Sequence, residues 1–262
     1  MTSSTIPASV YIVTLNCEPW LHAVLTSVRE FAEVIILDSG STDRTWEIAK
    51  SFPNVRIRHQ DWQGFAAQKA LALAECTQPW VLNLDGDEVL STALKIEIAK
   101  TIAKNKVDAL NTPIRDVFMG RLNHQWAKNN AKVRFFRRSN GHYDLSIAVH
   151  EAVSIRGRVI DSYAAILHYG DEGIAGKVEK INSYSGLKSE EKDGRGKRVS
   201  PVKLLTVMPL TFLKSYIARR NFLNGWRGFI GSTINAFYAF LKEAKLYERS
   251  LGDAADKPGD EP

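Results

Sequence analysis

Cysteine is nearly absent from this 262-residue chain: Cys17 and Cys76 are the two, far apart and outside any C-x-x-C pair. That excludes a disulfide framework and a cysteine-built zinc site, and it suits reduced thiols in a cytosolic protein. Long apolar runs are lacking too. The longest charge-free run in the C-terminal region, residues 228–241, is 14 residues, whereas a bilayer-spanning helix needs about 20. The first residues, MTSSTIPASVYIVTLN, carry no positive segment and too short an apolar run for a signal peptide. No glycine-rich phosphate loop follows the first apolar run, which reads Thr14-Leu15-Asn16-Cys17-Glu18-Pro19, and no Walker lysine motif is present. A nicotinamide dehydrogenase or a P-loop enzyme is therefore not expected.

What remains is the composition of a soluble globular chain, 44% hydrophobic and 24% charged, of a size for one large domain or a domain with an appendage. The formal net charge of +6 is unevenly placed. Residues 203–249 hold eight Lys/Arg against Glu243 and Glu248, interleaved with nine aromatics. The rest of the chain is balanced.

Residues 10–15, 34–37, 55–58 and 80–84 are short apolar runs that read as buried strands. Helices are expected between them, over residues 19–30, 44–50 and 65–75, with a fourth from the Ser91 cap to about residue 104. This alternation predicts βαβ units and a mostly parallel central sheet flanked by helices. Ligands of such sheets gather at the carboxyl ends of the strands, which here carry Asn16, Asp38, Asp85 and Asp87. Further strands are expected at 108–114, 133–137, 152–155 and 164–169, a helix at 173–192, a flexible basic loop at 193–197, and amphipathic C-terminal helices from Pro201. Residues 252–262 have the composition of a disordered acidic tail.

Asp85-Gly86-Asp87 follows a fully apolar strand. Two carboxylates separated by one glycine can face one hard cation, and magnesium or manganese held this way completes its shell with substrate phosphates. In the C-terminal region Ile230, Ile234, Phe237, Tyr238 and Leu241 form one apolar stripe at helical spacing. The stripe fits core packing. With the surrounding cations and aromatics it also fits an anionic membrane surface, the preferred expectation.

Four strings together carry a resemblance: Val13-Thr14-Leu15-Asn16-Cys17-Glu18, Leu37-Asp38-Ser39-Gly40-Ser41-Thr42-Asp43-Arg44-Thr45, Gly64-Phe65-Ala66-Ala67-Gln68-Lys69 and Leu84-Asp85-Gly86-Asp87-Glu88. They resemble glycosyltransferase family 2, inverting nucleotide-sugar-dependent enzymes of the GT-A fold. His150-Glu151, His168-Tyr169, Lys180-Ile181-Asn182-Ser183-Tyr184-Ser185 and Phe222-Leu223-Asn224-Gly225 with Gly228-Phe229 narrow the similarity to bacterial lipopolysaccharide core β-glucosyltransferases. Cys17 and Asn224 depart from that pattern. The resemblance implies a nucleotide-sugar-binding half at 8–115, an acceptor-side half at 116–192, the basic helical region at 193–249 and a tail at 250–262.

It further implies that Thr14, Asn16 and Glu18 flank the nucleoside, that Asp38 accepts from the uracil imide, and that Gln68 and Lys69 lie beside base and phosphates. Asp85 is expected at the ribose or, through water, at the metal. Asp87 is expected on the metal directly, with Glu88 behind it and His168 as a further ligand. Lys180 and Tyr184, one helical turn apart, are expected to face the diphosphate. Inversion needs one base for the acceptor hydroxyl; Glu151 is the first candidate, before Asp144 and Asp116. The implied partners are a UDP-sugar, a divalent cation, a lipid-linked saccharide and an anionic membrane surface, at the inner face of the cytoplasmic membrane. Polyprenyl phosphate, capsule or protein acceptors are the alternatives. Nucleic acid is not expected, because Asp38, Asp85, Asp87 and Glu88 would repel a polyphosphate chain.

Overall fold

The computed structural model describes residues 5–144, 153–170 and 173–255. Its elements run β1 (Ile6–Thr14), α1 (Glu18–Ser27), β2 (Phe31–Asp38), α2 (Thr45–Lys50), β3 (Val55–His59), α3 (Phe65–Ala74), β4 (Trp80–Asp85), β5 (Glu88–Leu90), α4 (Thr92–Lys104), β6 (Ala109–Phe118) and β7 (Arg121–Leu122). Then come β8 (Asn130–Arg137), β9 (Gly141–Tyr143), β10 (Val153–Ile155), β11 (Val159–Asp161), β12 (Ile166–His168), α5 (Ile174–Gly194), α6 (Pro201–Leu213) and α7 (Trp226–Ala255).

The large sheet has the order β3-β2-β1-β4-β8-β6-β12-β5. It is parallel from β3 to β4, as the βαβ alternation predicts. Beyond β4 it is mixed, because β8 enters antiparallel between β4 and β6. Period-two alternation splits the apolar strand residues between two cores. Val10, Ile12, Ile36 and Leu82 join Leu21, Val24 and Leu25 of α1 and Leu94 and Ile98 of α4. Tyr11, Ile35, Leu37 and Val81 join Ala72 and Leu73 of α3 on the other face. Each such aliphatic side chain, buried, contributes about 1.5–3 kcal/mol. Strands apolar on both faces are what a sheet covered on both sides requires.

Helix ends follow local chemistry. Ser91 caps α4 by accepting from the Leu94 N–H, and Asn105 closes it in the left-handed region at φ 53°. In the Ser/Thr/Asp run before α2, Asp43 serves two helix starts: its Oδ1 accepts the Thr45 N–H of α2 at 3.0 Å and its Oδ2 accepts the Glu18 N–H of α1 at 2.9 Å.

The chain divides into two units, residues 1–116 with 130–170, and residues 117–129 with 171–262. Strands β8 to β12 thus group with the first half, and α5 groups with the C-terminal helices. The second unit has its own core of Phe118, Ile181 and Ile234, against which Ile230, Tyr238 and Leu241 pack. Those three, with Ile234, are four of the five stripe residues, so the stripe faces inward and is not a lipid-facing surface. Arg227 donates to the carbonyls of Phe118 and Arg121. Asn224 accepts from the His124 N–H, and a Cβ on Gly228 would lie 1.8 Å from the Asn221 carbonyl oxygen. The Asn224–Gly228 string is therefore a packing motif. No helix among the described residues is long and apolar enough to cross a membrane.

Candidate active site

All of the site described here belongs to the first unit. The turns after β1 and β2 are stitched together. The Ser39 N–H donates to the Thr14 carbonyl at 2.9 Å, and Thr14 Oγ1 donates to Asp38 Oδ2 at 2.9 Å. Asn16, at φ 53°, donates its N–H to Ser41 Oγ and accepts the Thr42 N–H on Oδ1 at 2.9 Å. Glu18 accepts the Arg44 N–H at 3.1 Å.

Asp38 sits at the centre and has no exposed surface. Its Oδ1 accepts from the Gly40 and Ser41 N–H groups and from Trp46 Nε1, and its Oδ2 from Thr14 and Ser41 hydroxyls. Burial alone would raise its pKa, but the donors of Ser41, Trp46 and Thr14 outweigh it and hold it below the usual carboxylate value. All five donors come from the chain itself, so in this structure the carboxylate organises the turn, and the uracil-imide contact that the resemblance implies would have to replace one of them.

Gln68 and Lys69 are buried rather than on a solvated helix face. Gln68 Nε2 donates to Ser39 Oγ and the Gln60 carbonyl, both at 2.9 Å. Its Oε1 is buried without a partner among the described residues. Lys69 Nζ lies 2.9 Å from Asp85 Oδ1.

Asp85 also meets a residue that the sequence reading missed. Arg134, buried in β8, donates to Asp85 Oδ2 at 2.8 Å, to Glu88 Oε1 at 2.5 Å and to Asn83 Oδ1 at 2.6 Å. Glu88 in turn accepts the Asp85 N–H at 2.9 Å. Two cations and two carboxylates thus form one network. Burial opposes the charge on Asp85, yet Arg134 and Lys69 hold its pKa far below the ordinary range. Glu88 is pushed up to about 7 by burial and by Asp85, against the pull of Arg134. The signal for Arg134 was a guanidinium amid Val133, Phe135 and Phe136 in an apolar strand, where a charge needs a partner.

Next to this network stands a second group. His168 pairs with Glu88 across β12–β5 and with Asp116 across β12–β6. Its Nδ1 lies 2.9 Å from Asp116 Oδ1 and its Nε2 3.3 Å from Asp87 Oδ2. Burial lowers its pKa, but the hydrogen bonds and charges of Asp116 and Asp87 prevail and push it up to about 10. Two glycines allow the crowding. A Cβ on Gly170 would lie 2.0 Å from Asp87 Oδ2 and 3.0 Å from His168 Nε2, and one on Gly86 would lie 2.4 Å from Cys17 Sγ.

The expected metal set is only partly assembled. Among the described residues no group of three His, Cys, Asp or Glu could hold a cation. Asp85 has both oxygens occupied by Lys69 and Arg134, so it is no direct ligand as placed. Asp87 and His168 remain as a two-point carboxylate–imidazole pair. That pair fits a divalent cation whose other positions go to water and substrate phosphates. Asp116, a candidate base, is tied to His168. Glu151, with His150, lies outside the described residues, and Asp144 is exposed beyond β9. Lys180 and Tyr184 are exposed on α5 of the second unit.

The fold is that of known GT-A structures. It aligns with S. aureus TarS 1-349, solved in complex with UDP-GlcNAc, at a TM-score of 0.51 over 94% of this chain and 92% of that one, with 17% identity. Along the sequence, 34% identity over 251 residues, 93% of each chain, links it to the lipopolysaccharide core biosynthesis glycosyltransferase LpsC of Rhizobium meliloti. An uncharacterized glycosyltransferase of Rickettsia typhi, RT0209, is 33% identical over 93% of this chain and 87% of its own length. The pattern of Glycosyl transferase family 2 matches residues 9–163, the stretch that holds the two stitched turns and the Asp85–Asp87 turn, so the chain belongs to this family and is a glycosyltransferase.

Proposed function

We propose that this enzyme transfers a hexose, glucose in the first instance, from a UDP-sugar to a lipid-linked saccharide of the lipopolysaccharide core type, with inversion at the anomeric carbon. The observation that carries the reading is the Asp87–His168 pair beside the Lys69–Asp85–Arg134 network, at the carboxyl ends of β1, β2 and β4 where such folds take their ligands. The similarity to LpsC over nearly the whole chain supports the class of acceptor.

Thr14, Asn16 and Glu18 form the wall for the nucleoside, held rigid by Asp38 underneath. Gln68 offers its buried Oε1 as an acceptor for a donor group of the ligand. Lys69 and Arg134 hold Asp85 in one orientation toward the ribose, and Lys69 adds positive charge beside the phosphates. Asp87 and His168 would hold a magnesium or manganese ion, which when bound neutralises charge on the diphosphate leaving group. His168 must give up its Nε2 proton to act as a ligand, while Asp116 keeps the Nδ1–H oriented. Lys180 and Tyr184 are assigned to the diphosphate on the family resemblance. Glu151 takes the proton from the acceptor hydroxyl, and Asp144 is the next candidate. A lipid-linked acceptor places the enzyme at the inner face of the cytoplasmic membrane.

Asp87→Asn tests the reading. Transfer, measured by product formation across a panel of nucleotide sugars, should fall below about a tenth of wild type while the melting temperature is retained. More residual activity than that removes Asp87 from the mechanism.

A further inference from the structure

Helix α6 has no buried residue. Leu204, Val207 and Phe212 are half-buried, and the Phe212 ring meets that of Phe229 on α7. Val202, Leu205, Leu210 and Leu213 are exposed at 69%, 79%, 61% and 49%, and Ile217 on the π-helical turn Lys214–Ala218 at 57%. The exposure continues into the start of α7. Phe212 and Phe229 rings lie 5.5 Å apart and Trp226 and Phe229 rings 6.0 Å apart, with Trp226 81% exposed. Contiguous apolar surface of this kind marks a docking site.

The charge around it selects the partner. Residues 194–242 contain nine Lys/Arg and no Asp or Glu. A second copy of the chain would bring like charge against like charge, which costs affinity. Residues 204–213 are free of charge, with Lys203 before them and Lys214 and Arg220 after them. An amphipathic element with aliphatic and Trp side chains on one face and cations at its ends lies in a lipid interface. We propose that α6 and the adjoining aromatic cluster dock on an anionic lipid surface. Leu205, Leu210, Leu213, Ile217 and Trp226 enter the boundary between headgroups and acyl chains, and Lys214 and Arg220 meet lipid phosphates. The proposal deepens the reading of a lipid-linked acceptor and rests on it for its purpose, but vesicle binding is measured without donor or acceptor.

The test is co-sedimentation of the full chain with phosphatidylcholine vesicles, with and without phosphatidylglycerol. Wild type should bind the anionic vesicles at least about tenfold better than neutral ones, and release as salt rises. Leu205→Glu with Leu210→Glu, both exposed and so tolerated by the fold, should lower binding at least about tenfold with an unchanged melting temperature. Lys214→Gln with Arg220→Gln should lower binding about tenfold on anionic vesicles and leave neutral ones unaffected. Binding of the Leu variant equal to wild type, or no vesicle binding by wild type, overturns the proposal. So does a concentration-dependent dimer that the Leu variant abolishes in the absence of vesicle binding, which assigns the face to a second copy. Vesicle binding alongside transfer only to soluble acceptors would sink the acceptor reading and leave the docking intact. Transfer to a detergent-dispersed lipid-linked saccharide without vesicle binding would do the reverse.

Discussion

In the strand-end site the buried charges around β4 are paired: Asp85 lies between Lys69 and Arg134, and Glu88 shares Arg134. On α6 the imbalance is of the opposite kind, with leucines left in water and no residue of the helix buried. The first arrangement fixes its carboxylates before any ligand arrives, and leaves Gln68 Oε1 and Arg134 Nε as buried atoms of the site without a partner among the described residues. The second is the face proposed to dock on lipid. Preorganisation and incompleteness therefore occupy separate units, and mutations should behave differently in each.

The largest effect is expected at Arg134. Arg134→Met leaves Asp85 and Glu88 in the interior with one cation between them and should cost about 3–5 kcal/mol in denaturant unfolding. Ile234→Ala in the second core should cost about 2–4 kcal/mol by the same measurement, whereas Leu205→Ala on α6 should stay within about 0.5 kcal/mol. Equal losses at Ile234 and Leu205 would erase the distinction between the inward stripe and the outward helix.

Gly86→Ala is the intermediate case. Its new Cβ meets Cys17 Sγ at 2.4 Å, so about 1–3 kcal/mol should be lost. Cys17→Ala in the same chain should return part of it, and a double-mutant cycle reads the coupling. A pH dependence is expected as well. The pKa of His168 is raised to about 10, against about 6.5 in the unfolded chain. Its ion pairs thus contribute stability that is complete below about pH 6.5 and is lost as pH rises through about 10. In chelator-treated protein the melting-temperature gap between wild type and His168→Gln should narrow from pH 6 to pH 10; a constant gap assigns His168 to packing alone.

The sequence exposed the parts of this molecule that repeat a local rule. Four apolar runs bounded by turns gave the parallel half of the sheet, and the acids at their ends marked the edge on which the candidate site is built. Long-range pairing was not legible. Nothing local to residues 130–137 says that β8 enters antiparallel beside β4, and without that register Arg134 cannot be connected to Asp85. Asp38 shows the same limit from the other side: its position at a strand end was visible, but five internal donors were not. The C-terminal stripe misled because helical spacing says that one face is apolar and not what covers it. Phe118 and Ile181, distant in sequence, turned that face inward and left α6 outside.

The antiparallel pairing of β5 with β12, Glu88 opposite His168, bears on how the enzyme is made. Synthesis proceeds from the amino terminus, and closing a longer loop carries a larger entropic cost. The turns around Thr14, Asp38 and Asp85 are all present once β4 has emerged from the ribosome. His168 comes more than 80 residues after Asp87, so a nascent or prematurely terminated chain carries the nucleotide-side loops without their carboxylate–imidazole pair. If His168 serves as proposed, catalytic competence waits until the first unit has been translated to its end.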